Sequence, residues 1–131
     1  MIERIFILKR TAVFGDLPHE ILGSLAGHMS VVHLNPDETL YKKGDLGHAM
    51  FILVEGHIRV HDGNRTLEEL GADAVLGEVT ALTSEDRAAT ATAVDECRLL
   101  RLDQDVLYEL MAGRPSISRA LIKVLVDRLS K

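Results

Sequence analysis

The chain has 131 residues, and its 15 lysines and arginines against 20 aspartates and glutamates give a formal net charge of −5 at pH 7. This length suffices for a single domain with its own core, and the negative charge disfavours DNA binding by this chain alone. The single cysteine, Cys97, excludes an internal disulfide and is typical of a cytoplasmic protein. No apolar run approaches the roughly 20 residues that a membrane-spanning helix needs.

Two short helices are predicted in residues 1–30. The first ten residues form an amphipathic pattern, which indicates either an ordinary N-terminal helix or the end of a longer connecting helix in a larger protein. The second helix is predicted to begin near Pro18, with Asp16 or Leu17 as its N-cap. Its apolar face consists of Ile21, Leu22, Leu25 and Met29.

Residues 31–102 change to short apolar segments between turn residues, a pattern that predicts an all-β barrel or sandwich. The strongest predicted strand is 49–54. Residues 57–61 alternate between polar and apolar side chains, so one face of that strand should be apolar. The dipeptide Asp62-Gly63 that follows predicts a hairpin turn.

Two further helices are predicted in residues 103–131, with Asp103 as a candidate N-cap and an interruption at 113–115. The final helix, predicted from Ser116 onwards, has two apolar stripes, whereas a helix that packs on one side needs only one. The second stripe must therefore meet a ligand base, a second subunit or a missing C-terminal segment. The stripes consist of Ile117, Leu121, Val124 and Leu125, and of Ile122, Val126 and Leu129.

Residues 76–90 contain the groups needed to hold a phosphate. Gly77 has no Cβ, so a ligand or another backbone segment can approach its amide closely. Glu78 begins a predicted helical turn, whose N-terminal amides attract anions. Arg87 offers a planar fork that can hold two phosphate oxygens, and Ala88 and Ala89 leave space beside it.

This segment resembles the phosphate-binding cassette of cyclic-nucleotide-binding domains, the superfamily of the cyclic AMP receptor and the regulatory subunit of protein kinase A. The matching parts are 77–82 and 87–90, and residues 44–60 resemble a second signature of the family. The resemblance covers nearly the whole chain. It implies one domain of 131 residues that is mainly β with flanking helices: a double-stranded β-helix, or jelly roll, with N-terminal helices and C-terminal hinge and lid helices.

By the same resemblance, Arg87 binds the cyclic phosphate and Glu78 binds the ribose 2′-hydroxyl. The amides at the start of the helical turn and at Ala88 and Ala89 face the phosphate. The expected ligand-binding residues are Gly77, Glu78, Val79, Arg87, Ala88 and Ala89.

The function that the resemblance implies is that of a regulatory module in signal transduction, not an enzyme. The expected ligand is cyclic AMP rather than cyclic GMP, with no cofactor or metal. Binding would be relayed through a hinge at 111–115 and the final helix to a fused effector domain or a partner. A homodimer formed through that helix is one such partner.

Other interpretations stay open. Asp86 precedes Arg87 where the family often has proline, and its charge would oppose a phosphate, so the domain could be a structural or dimerisation module without ligand. Asp73 stands where the family usually has glycine, although aspartate adopts left-handed conformations more readily than most residues. The chain could also be a fragment of a bacterial transcription factor that continues into a helix-turn-helix.

A metalloenzyme on a similar β-fold is disfavoured. His57 and His61 share a strand face, but four residues of strand span about 13 Å. Metal–nitrogen bonds are only about 2 Å long, so the two side chains cannot share an ion. Cys97 has no His–Asp context and is predicted to be a packed thiol rather than a nucleophile.

Overall fold

The structure is a computed structural model that describes residues 2–77 and 85–129. It separates into two compact units, one of Met1–Met29 with Asp105–Lys131 and the other of Ser30–Gln104. The prediction of a single domain is not tested by this division and stays a prediction. The helices are α1 (Ile2–Arg10), α2 (His19–Gly27), α3 (Gln104–Gly113) and α4 (Pro115–Leu129), and the strands are β1 (Ser30–Leu34), β2 (Thr39–Tyr41), β3 (Ala49–Glu55), β4 (Ile58–Asp62), β5 (Arg65–Leu70), β6 (Val75–Leu76), β7 (Thr90–Ala93) and β8 (Cys97–Asp103).

The strands form two antiparallel sheets of four strands each, in the orders β1-β8-β3-β6 and β2-β7-β4-β5. This strand order confirms the predicted jelly roll with flanking helices. The first and last strands pair along their length, from Ser30↔Arg101 to Leu34↔Cys97. The pairing of β3 with β8 begins at Ala49↔Asp103.

Alternate residues of β3 and β8 supply the core of the roll, as the period of a strand requires. Phe51 and Leu53 of β3 belong to one buried cluster with Cys97 and Leu99 of β8. Other members come from the second sheet and are mostly small or β-branched: Ile58, Ala91 and Ala93. Because directly paired residues share a sheet face, Arg101, which pairs with Phe51, continues the inner face beyond the apolar core.

Two turns follow the expectations from the sequence. β4 and β5 are joined directly after Asp62, and Gly63 adopts a left-handed φ of 58°. Asp73 also adopts a left-handed φ, of 74°, which confirms that aspartate can replace glycine there.

The N-cap prediction for α2 was wrong. Pro18 occupies the N-cap position, and no side chain caps the helix. The carbonyl of Pro18 accepts the first helical hydrogen bonds, from the amides of Ile21 and Leu22 at 3.1 and 3.0 Å. The proline ring fixes φ near −60°, which suits the entry to a helix, so α2 begins after Pro18 without a side-chain cap from Asp16 or Leu17.

Two residues of the second apolar stripe of the last helix are exposed. Helix α4 begins at Pro115, one residue before the predicted start, because proline is tolerated in the first turn. Ile117 and Leu121 are buried, whereas Ile122 and Val126 expose 59% and 52% of their surfaces. No helix in residues 2–77 and 85–129 has both the length and the apolar character needed to cross a membrane.

Candidate functional site

Arg87 is a charged side chain held inside the roll. It exposes 5% of its surface, and its Nη2 donates a hydrogen bond of 2.6 Å to the carbonyl oxygen of Ala49. The guanidinium carbon lies 4.3 Å from the ring centroid of Tyr41 and 6.0 Å from that of Phe51. These cation–π contacts and the backbone bond fix the guanidinium at the end of the core.

The loop between β2 and β3 holds the backbone of Arg87 in place. The amide of Arg87 donates to the Asp45 carbonyl at 2.7 Å, and the Arg87 carbonyl accepts from the Gly44 amide at 2.9 Å. Gly47 adds a bond of 3.3 Å to the Glu85 carbonyl. Gly44 has a φ of 90°, a left-handed conformation that favours glycine. The part of the cassette that bears Arg87 is therefore fixed by main-chain bonds.

Gly77 lies against the Arg87 side chain. Its φ is 78°, and a Cβ built there would collide with Nη1 of Arg87 and lie 3.1 Å from the Ala49 carbonyl oxygen. From the sequence, this glycine was interpreted as leaving room for a ligand or for another backbone segment. In the structure, the group that occupies the space beside Gly77 is the arginine itself.

The remaining predicted site residues differ in their exposure, and two of them are not described by the structure. Ala88 is exposed and Ala89 is buried, directly after Arg87. Glu78 and Val79 lie outside the described residues, as does the predicted helical turn that they begin. The structure thus brings Gly77 into contact with Arg87, and the roles of all six residues stay predictions.

Burial is the main cause of the pKa shifts of Arg87 and Tyr41. It lowers the pKa of Arg87 from its ordinary value, and the nearby charge of Arg101 lowers it further, while Tyr41 and Asp45 act in the opposite direction. Burial also raises the pKa of Tyr41, an effect that Arg87 opposes. A desolvated cation gains from a neighbouring anion, because the anion favours its charged form.

Three neighbours of Arg87 were not singled out from the sequence. Tyr41 and Phe51 were assigned only to strands, yet their rings contact the guanidinium. Arg101 lies with its guanidinium carbon 5.9 Å from the Phe51 centroid. The alternation of Cys97, Leu99 and Arg101 along one strand was the available signal, since it places Arg101 on the inner face.

Asp86 is exposed, unlike the buried arginine that follows it. Its backbone forms an isolated bridge with Leu46, and the residue is exposed whereas Arg87 is buried. Successive residues of extended backbone point to opposite sides. The proximity of Asp86 to Arg87 in sequence is therefore only a weak objection to an anion site at Arg87.

His57, His61 and the cysteine have structural partners. His57 Nδ1 lies 2.7 Å from Asp95 Oδ2, whereas His61 contacts the Gly63 carbonyl and Thr92 Oγ1, each at 2.8 Å. Within the described part of the chain, no group of three or more histidine, cysteine or acidic residues could hold a metal ion. Cys97 is buried, and burial raises its pKa, which disfavours the reactive thiolate.

Comparison with known proteins gives a family match. The model of the cyclic nucleotide-binding domain matches residues 31–114. A CRP-like cAMP-activated global transcriptional regulator of Mycobacterium tuberculosis is 27% identical over 130 residues. The match covers 95% of this chain and 58% of that regulator, so the chain spans somewhat more than half of the relative's length.

Solved structures of similar domains superpose on this chain. The N-terminal domain of a transcriptional regulator from Streptomyces coelicolor A3(2) superposes with a TM-score of 0.85 at 29% identity, covering 95% of this chain and 90% of that one. The regulatory domain of Toxoplasma gondii PKA, crystallised with cAMP, superposes with a TM-score of 0.77 at 26% identity, covering 83% and 43% of the two chains.

Proposed function

Because this chain belongs to the cyclic nucleotide-binding domain family, we propose that it binds a cyclic nucleotide and acts as a regulatory module rather than as an enzyme. The observation that carries the proposal is the placement of Arg87, whose buried guanidinium is held at the end of the β-roll by Ala49 and Tyr41. A cation in a partly closed site attracts an anion more strongly than one in water. No chemical change in the nucleotide is required.

The cyclic phosphate would bind at Arg87, since a guanidinium can donate to two phosphate oxygens at once. Gly77 borders the same guanidinium and has no side chain to obstruct it. The backbone amides of Gly77, Glu78 and Val79 on one side and of Ala88 and Ala89 on the other would complete the phosphate site.

Glu78 would accept a hydrogen bond from the ribose 2′-hydroxyl. Cyclic AMP is the proposed ligand rather than cyclic GMP. Two relatives support this choice, because the mycobacterial regulator is described as cAMP-activated and the Toxoplasma domain was crystallised with cAMP.

The signal would pass through the C-terminal helices. Residues 111–115 would act as a hinge between α3 and α4, and the exposed side chains of Ile122 and Val126 would meet the base, a fused effector domain or a second subunit. The nucleotide can shift this helix only if it binds one of its positions more tightly than the other. We place this regulatory module in the cytoplasm.

Calorimetric titration with cyclic AMP, cyclic GMP and 5′-AMP tests the proposal. The parent should bind a cyclic nucleotide at micromolar concentration or below. Arg87→Gln should weaken binding at least about 100-fold, because two charge-assisted hydrogen bonds are lost. Arg87→Lys keeps the charge without the fork and should retain part of the affinity.

Arg65→Gln, which removes an exposed arginine at the start of β5, is the matched control and should bind like the parent. Circular dichroism and thermal melting would show that each variant is folded, a necessary check since Arg87 is buried. If Arg87→Gln binds as well as the parent, the phosphate site is wrongly assigned.

The alternative is a domain that keeps this fold without binding nucleotide and serves as a dimerisation module. The exposed stripe of Ile122 and Val126 on α4 favours it. Absence of heat and of thermal stabilisation up to millimolar nucleotide, together with a concentration-dependent dimer in sedimentation, would support this alternative.

A further inference from the structure

A second arginine lies at the same end of the roll as Arg87. Arg101 and Asp103 occupy alternate positions at the end of β8, where they pair with Phe51 and Ala49 of β3. Paired residues share a face, so both side chains leave the sheet on the side of the buried core. The carbonyl oxygen of Ala49 is the one that binds the Arg87 guanidinium.

The two guanidinium groups contact one ring. Their central carbons lie 6.0 Å (Arg87) and 5.9 Å (Arg101) from the centroid of Phe51. The charge of Arg101 reaches Arg87, since it lowers the pKa of that residue. Two like charges near one apolar side chain repel each other, and an anion bound beside them would offset this repulsion.

Arg101 is positioned by a carboxylate and is still accessible. Its Nε donates to Asp103 Oδ1 at 2.6 Å, and its two Nη groups carry the other four N–H donors of the guanidinium. The side chain of Arg101 is 42% exposed, so a ligand in the roll could reach it. The carboxylate that acts on Arg87 is that of Asp45, which accepts a hydrogen bond from the Lys42 amide within its own turn.

We propose that Arg101 is a second phosphate-contacting residue of the site and that Asp103 tunes the site to a singly charged phosphate. This inference rests on the proposed function. The Arg101–Asp103 pair is neutral as a whole, so it can donate hydrogen bonds without adding net charge to that of Arg87. A cyclic phosphodiester carries one negative charge, which matches this arrangement. A 5′-monophosphate carries almost two, because its second pKa is about 6, and it would meet the Asp103 carboxylate.

The test uses two variants and two controls. Arg101→Gln removes the donor and Asp103→Asn removes the carboxylate while keeping its shape. The controls are Arg98→Gln and Glu55→Gln. These change another ion pair between β8 and β3, in which Arg98 Nη2 and Glu55 Oε1 are 2.9 Å apart. Arg98 alternates with Cys97 and Leu99, so it points to the opposite face of the sheet.

Calorimetry with cyclic AMP and 5′-AMP near pH 7.5, where the monophosphate is mostly dianionic, gives the readout. Arg101→Gln should bind cyclic AMP about tenfold more weakly, as expected for one charge-assisted hydrogen bond. Asp103→Asn should reduce the preference for cyclic AMP over 5′-AMP by a similar factor. Both controls should stay within about twofold of the parent.

The outcomes separate the two proposals. If the parent binds cyclic AMP and Arg87→Gln does not, but Arg101→Gln and Asp103→Asn both behave like the controls, the inference is overturned and the proposed function stands. If the parent binds no cyclic nucleotide, both fall. Thermal melting checks that each variant is folded, and if Arg101→Gln is not, Arg101→Lys and Asp103→Asn decide the question.

Discussion

The absence of a side chain at Gly77 leaves the space that the Arg87 guanidinium occupies. The glycine allows the guanidinium to approach the main chain, and its left-handed φ of 78° is one that side-chain-bearing residues adopt only with strain. The same guanidinium lies on Tyr41 and bonds to Ala49. A change at residue 77 should therefore displace the side chain that we propose as the phosphate ligand.

Gly77→Ala tests this coupling. We expect a loss of about 2–4 kcal/mol in the free energy of unfolding, because a backbone strain of about 1–2 kcal/mol is added to a steric collision. Nucleotide binding should weaken in parallel. Urea unfolding and calorimetry measure the two effects.

Gly63→Ala is the control for strain alone, since Gly63 also has a left-handed φ, of 58°, but nothing lies within 4 Å of its added Cβ. It should lose only about 1–2 kcal/mol and bind nucleotide normally. Equal losses in the two variants, with binding intact, would show that Gly77 and Arg87 are not coupled.

At this scale the sequence identified the residue types but not all their contacts. A glycine and an arginine at the spacing of a phosphate cassette are recognisable from the chain alone. The contacts of Arg87 with Tyr41 and Phe51, and its proximity to Arg101, depend on strand register, which brings together residues far apart in sequence. No local pattern contains that information.

The start of β4 is joined to the turn between β7 and β8 by a histidine and an aspartate. The amide of His57 donates to Asp95 Oδ1 and its Nδ1 lies by Oδ2, both at 2.7 Å. The hydrogen bond and charge of Asp95 raise the pKa of His57, with a smaller contribution from Glu69. The hydrogen bonds from His57 lower the pKa of Asp95. The pair is exposed, so its effect should be modest and sensitive to salt.

The pH dependence of stability should reveal this link. A raised histidine pKa stabilises the fold below the ordinary value of 6.5, and this stabilisation is lost as the pH rises through the folded-state pKa. A lowered aspartate pKa stabilises above 3.8 and is lost as the pH falls through its folded-state pKa. The pair therefore contributes most between these two values.

His57→Gln should thus lower the Tm more at about pH 5 than at about pH 8.5. Thermal melting at both pH values measures the difference. A Tm difference for His57→Gln that is the same at both pH values would contradict the assigned role of the pair.

Elements were easier to predict than their ends. The continuous apolar run of β3 and the hairpin between β4 and β5 follow from alternation and turn residues, and both are confirmed. The N-cap of α2 was misplaced by one or two residues, because Pro18 occupies that position and no side chain caps the helix. Capping preferences describe the side chains that stabilise a helix start and do not apply where a helix begins without one.

The whole molecule consists of a β-unit that contains the candidate site and a helical unit that we propose carries the signal. If binding is relayed, the nucleotide must change the conformation or the stability of the helices as well as of the roll. Ligand at 100 times its Kd stabilises the folded state by about 2.7 kcal/mol. For a chain of this size that corresponds to a rise in Tm of about 10 °C.

Hydrogen exchange with and without cyclic AMP measures where that stabilisation acts. We expect slower exchange at 85–90, around Arg87, and altered exchange across α3 and α4. Arg87→Gln with the same nucleotide concentration is the control and should show neither change. Protection confined to the roll, with α3 and α4 unaffected, would contradict the relay while leaving binding intact.

The pairing of the first strand with the last also has a consequence for folding. The helical unit is built from both ends of the chain, and Lys123 Nζ lies 3.6 Å from Asp16 Oδ2 across this long separation in sequence. Bringing those ends together around residues 30–104 costs about 4 kcal/mol of loop-closure entropy. The pairing of Ser30 with Arg101 closes this loop when the roll forms. We therefore expect the roll to condense first and the helical unit to form on chain ends that the strands have already brought together.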